Sequence, residues 1–101
     1  MAQQQKIFSG LIDVVLTKLG SSIVPSSITD VGFTGDKIRI EYLLSSVVNS
    51  DGFTVKTLEV QYVPWQTIVT RVAAFGAIRF VGCSIGYDVV TRTLVISEAA
   101  Q

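Results

Sequence analysis

Histidine is absent from this chain, and cysteine occurs once, as Cys83. Without an imidazole there is no Ser-His-Asp triad and no Cys-His pair in cis. The donor set of an ordinary zinc site is missing too. A single thiol forms no intramolecular disulfide, and it leaves the compartment open. Charge is also scarce. Charged residues make up 16% of the chain, eight basic against eight acidic, net zero. Soluble domains carry about 25%. The charges are dispersed from Lys6 to Glu98 with no like-charge block. Nucleic-acid binding needs a basic stripe to neutralise phosphates, so no nucleic-acid partner is expected. A basic membrane-surface helix is unsupported for the same reason.

Long apolar runs are lacking as well. A spanning helix needs about 20 mostly apolar residues. The best stretch, Ile68 to Val90, is interrupted by Arg71, Arg79 and Asp88, and its longest unbroken part is Val72 to Ile78. A charge at a helix centre costs on the order of 2.5–3.5 kcal/mol. No membrane span is expected. "MAQQQK" does not resemble a charged signal-peptide start, so the expectation is cytoplasmic synthesis, with final localisation open.

What is abundant is apolar surface: 49% of residues are hydrophobic. A chain of 101 residues is one domain by default and buries roughly two-thirds of its unfolded surface. The expected organisation is a flexible N-terminus over 1–5 and a single α+β domain over 6–101. So few charges suit either an exceptionally well-packed monomer or a subunit that hides surface in an oligomer.

Periodicity predicts the elements. Lys6, Ser9, Gly10, Asp13 and Thr17 form a narrow polar stripe, so 6–19 reads as a helix, stopped at Gly20. Its apolar face is wider than a surface helix requires. "SSIVPSS" (21–27) is a loop. Strands follow at Ile28–Thr34 and Lys37–Ser46, joined by a Gly35-Asp36 turn. That turn sets Phe33 opposite Ile38 and Val31 opposite Ile40, all on the apolar face. "NSDG" turns the chain into a third strand, Phe53–Val63. There Leu58, Val60 and Tyr62 face one way and Thr57, Glu59 and Gln61 the other. Phe53 and Val55 break this parity, which requires a bulge near Lys56 or cover on both faces. Pro64 opens a helix over about 64–75 carrying Trp65, Ile68, Val69 and Val72. Ala77–Tyr87 reads as a strand bent at Gly82 and Gly86, and Arg92–Ser97 as the last strand. The order αβββαββ predicts α+β architecture: one mainly antiparallel sheet of about five strands with two helices packed on it.

Four features invite chemistry and fail to support it. Gly82-Cys83-Ser84-Ile85-Gly86 fits G-x-S-x-G, but a nucleophile elbow needs a histidine and a strand-turn-helix context. "VVNSDGF" misses a calcium loop, because the loop's first and twelfth positions would be Val47 and Leu58. Glu41 and Glu59 could share a sheet face, yet Lys37, Arg39 and Lys56 are equally near. Tyr42, Tyr62 and Trp65 lack the basic surround of a base-stacking platform. No catalytic, cofactor-binding or metal residues are assigned, and no cofactor is expected.

The leading expectation is therefore a non-enzymatic structural subunit that self-assembles, with itself as partner. Small phage or viral structural proteins and other shell or tube subunits share this style of composition, with no motif behind the comparison. Phe8, Leu11, Val15, Trp65 and Phe75 are the candidate apolar anchors for interface or core. The alternatives are a small protein-binding or regulatory module using a sheet edge, and a ligand binder or enzyme with an apolar pocket between sheet and helices.

Overall fold

The computed structural model describes residues 6–78, 80 and 82–98. Its elements are β1 (Ile7–Leu11), α1 (Ile12–Leu19), β2 (Ile28–Thr34), β3 (Lys37–Val48), β4 (Thr54–Pro64), α2 (Trp65–Arg71), β5 (Cys83–Asp88) and β6 (Thr93–Glu98). Short 3-10 turns occupy Pro25–Ser27 and Ala73–Ala77. The expected flexibility of residues 1–5 lies outside the described residues.

The first element corrects the expected helix over 6–19. Only its second half is helical. Ile7–Leu11 pairs antiparallel with β6, from Ile7↔Ser97 to Leu11↔Thr93. Ser9 and Gly10 are poor helix formers, Gly by about 1 kcal/mol relative to Ala. The alternation in β1 turns Phe8 inward onto Phe75, ring centroids 4.5 Å apart, while Ile7, Ser9 and Leu11 point out. The overly wide apolar band of 6–19 was thus one strand face plus one helical stripe. α1 does end at Gly20 (φ 69°), where Gly20 N–H donates to Thr17 O and Ser21 N–H to Leu16 O. That is a Schellman closure, and it needs the left-handed backbone glycine supplies.

β2 and β3 pair as their pattern predicts, with Phe33↔Ile38 and Val31↔Ile40. Gly35 has φ 60° and Asp36 does not share the positive φ, as in a type II′ turn. The predicted second helix is shorter than 64–75: α2 ends at Arg71, and Val72 is extended before the 3-10 turn. The strand expected over 77–87 starts only at Cys83.

These changes overturn the single five-stranded sheet and the order αβββαββ. The observed order is βαβββαββ, and strands dominate. They form two separate three-stranded antiparallel sheets, β1-β6-β5 and β2-β3-β4. Edge strand β2 runs close to edge strand β5, so β1 and β4 are the outer edges of the pair. The core lies between the sheets and the helices. Ile12, Val15 and Leu16 of α1, Ile28 and Val31 of β2, Ile38 and Ile40 of β3, and Leu94 and Ile96 of β6 meet there with Ile68, Val72, Phe75 and Ile78. An aromatic cluster of Phe8, Phe33, Trp65, Phe75 and Phe80 fills one end, with neighbouring centroids 4.5–6.0 Å apart.

Candidate functional site: a bare hairpin arm and an open sheet edge

The molecule measures 63 × 26 × 24 Å, with a radius of gyration of 15.7 Å. A compact chain of 100 residues has about 13 Å. The length comes from the β3–β4 hairpin. Every residue from 44 to 59 is exposed, and beyond Leu43 neither strand has core beneath it. At about 3.4 Å per residue, Leu43–Val48 carries the hairpin roughly 20 Å away from the body. Its tip is organised by Asn49, whose Oδ1 accepts from the N–H groups of Asp51 and Phe53, both at 3.0 Å. This is a hairpin turn, and among the described residues no cluster could hold a metal ion.

Side chains on this arm are not those of a solvated loop. Leu44, Val47, Val48, Phe53, Val55 and Leu58 are exposed large hydrophobics, Phe53 at 70% and Val48 at 69%. The charged residues there are Asp51, Lys56 and Glu59. The parity conflict at Phe53 and Val55 stands: β4 keeps its alternation, so Val55 stays on the face of Thr57 and Glu59, and the bulge lies across from it on β3, where the ladder passes from Leu43↔Leu58 to Ser45↔Thr57 with Leu44 as the extra residue. Apolar side chains consequently occupy both faces of the arm. A two-stranded ribbon alone is marginal in water.

Register also decides which way β4 faces. Ile40, buried in the core, lies opposite Gln61, and half-buried Arg39, on the other face, lies opposite Tyr62. Leu58, Val60 and Tyr62 therefore line the outer face, away from the core. Beside them on that face runs a charged row, with Arg39 3.9 Å from Asp30 and 3.8 Å from Glu41. Glu41 pairs with Val60 and Glu59 with Tyr42, so the two glutamates lie on opposite faces and form no carboxylate pair. Among the described residues, β4 is hydrogen-bonded only to β3, leaving the other edge of its eleven residues open.

The G-x-S-x-G stretch has no elbow. Gly82 turns the chain at φ 79°, and Cys83 to Gly86 lie in regular strand β5 against Glu98 to Val95. Ser84 Oγ shares a 3.0 Å hydrogen bond with Ser97 Oγ, and the Cys83 thiol donates to Phe80 O at 2.8 Å. Burial pushes the Cys83 thiol above its usual range, with the Glu98 carboxylate adding to the rise. A raised thiol pKa makes a poorer nucleophile at neutral pH. Gly86 meets no heavy atom within 4 Å of a built Cβ, so no backbone packs against it.

Two further features lie on the body. Asp13 and Arg92 form a 3.7 Å pair at the start of α1, beside a Tyr87 hydroxyl that has no hydrogen-bond partner among the described residues. Burial, and then the Asp13 charge, hold the Tyr87 phenol above its usual pKa. Between α1 and the base of β4 lies a cleft of about 230 Å³, lined by Leu16, Leu19, Gly20, Tyr62, Val63 and Thr67 among others. Ligand sites run to about 300–1,000 Å³.

Of the five candidate anchors, Val15 and Phe75 are buried in the chain's own core, Phe8 and Trp65 pack against it, and Leu11 is half exposed. The structure does not gather them into one surface. The arm residues were missed as a site, although the conflict at Phe53 and Val55 was their signal. In class, the chain is a mainly β protein of two small antiparallel sheets and two short helices. Searches against protein families, curated proteins and solved structures found no match. No helix among the described residues is long and apolar enough to cross a membrane.

Proposed function

We propose that this chain is a non-enzymatic structural subunit that assembles with copies of itself through the β3–β4 arm. The observation that carries this reading is the arm: sixteen consecutive exposed residues, 44–59, six of them large and apolar. Apolar residues scattered singly are ordinary surface, but a contiguous apolar element marks a contact region. Total accessible surface points the same way. At 6499 Å² it exceeds by about 900 Å² what a compact chain of this mass exposes. A standard interface covers about 800 Å² per partner.

Multi-angle light scattering on the purified chain tests the reading. The expected result is a mass of at least two chains. Replacing Val47, Val48 and Phe53 together with serine should lower that mass to one chain and leave the far-UV spectrum of the body in place. A wild-type chain that stays monomeric at all concentrations would overturn self-assembly and leave the arm as a contact for a different protein.

A further inference from the structure

Resting on the assembly reading, we infer that the open edge of β4 pairs antiparallel with β4 of a second copy, about a two-fold axis at Val60. Antiparallel neighbours must share a face, so a two-fold pairing places some residue of the strand opposite itself. Side chains choose among these registers. Centring on Glu59 sets like charges against each other, which is destabilising. Centring on Leu58 sets Val60 against the partner's Lys56. Centring on Val60 sets Leu58 against the partner's Tyr62 and Glu59 against the partner's Gln61, with Lys56 reaching the partner's Pro64 at the strand end. Apolar meets apolar, and no like charges meet. The outer rows Leu58-Val60-Tyr62 of the two copies, two of their residues about half exposed in one chain, become adjacent rows of one six-stranded sheet.

The same register gives the arm a destination. Thr57 and Val55 lie on the inner face, like Val63 and Gln61. Thr57 falls opposite the partner's Val63, so Val55 arrives beside the partner's cleft between α1 and β4, whose lining is largely apolar. The other outer edge, β1, is a weaker match. Its five residues cover less than half of β4, and its outward row, Ile7-Ser9-Leu11, would put a serine opposite Val60.

The test is a charge pair at the axis. In Val60→Glu alone, or Val60→Lys alone, like charges meet across the two-fold. Each should associate roughly a hundredfold more weakly than wild type, since like-charge contacts cost several kcal/mol. An equimolar mixture of the two should reassociate as a one-to-one heterodimer in sedimentation equilibrium. Reassociation also shows that both variants are folded. On a Cys83→Ser background, Val60→Cys should oxidise to a covalent dimer, because opposed Cα atoms about 4.5–5.5 Å apart are within disulfide reach. A monomeric wild type would overturn both assembly and this pairing. Assembly undisturbed by both single variants would overturn the β4 pairing and leave the assembly reading standing. Disruption without rescue in the mixture, and no covalent dimer, would overturn the two-fold and favour a head-to-tail contact.

Discussion

Gly82 and Gly86 bracket the same short strand, and their backbones ask for different things. Gly82 holds φ 79°, a conformation that a β-branched side chain strains to adopt. Gly86 lies in regular extended strand opposite Val95, with open space where a Cβ would project. Gly82→Val should therefore cost about 1–3 kcal/mol. Gly86→Val should be neutral or stabilise by less than about 1 kcal/mol, since valine suits a strand. Urea midpoints of the two variants check the contrast. Equal damage at both would show that something packs on Gly86 in the assembled protein. The bend expected at both glycines is thus a conformational demand at Gly82 alone.

At the scale of elements, the segment 6–19 separates strand from helix by experiment. On a helix Phe8 and Leu11 lie three apart on one face. On β1 they point to opposite sides, Phe8 onto Phe75 and Leu11 outward. Phe8→Ala should then cost about 3 kcal/mol and Leu11→Ala less than about 1 kcal/mol in the single chain. Comparable losses would restore the helix. The β2–β3 hairpin was legible because its turn residues and its alternation agree on one register. The helical reading of 6–19 failed because the β6 edge that recruits Ile7–Leu11 is some eighty residues away, and local periodicity carries no such contact. β4 shows the same limit. Its alternation was plain, but which side met the core depended on pairing Tyr62 with Arg39 rather than Ile40. Of the candidate site, apolar excess and the Phe53/Val55 conflict were visible. The sixteen-residue reach beyond the core was not, because nothing local says where a core stops.

For the whole molecule, the missing histidine sets how stability answers pH. No side chain here has its ordinary titration between pH 5 and 8 in the way imidazole does. The groups whose pKa is displaced titrate higher. Cys83 is raised mainly by burial; Tyr87 by burial and then the Asp13 charge; Tyr42 by lost solvation and then the neighbouring Glu59 carboxylate. Each binds its proton more tightly folded than unfolded. Their contribution is thus fully present below the unfolded values, about 8.5 for the thiol and 10 for the phenols. It is lost as pH rises through the folded values, because the unfolded chain ionises first. The melting temperature should stay nearly level from pH 6 to 8 and fall progressively above about pH 9. Cys83→Ser should blunt the first part of that fall, and Tyr87→Phe the later part. A melting curve that drops between pH 6 and 8 would contradict this account. If assembly holds the fold together, the level stretch should be matched by a constant oligomer mass over the same range, since the chain has no histidine to titrate there.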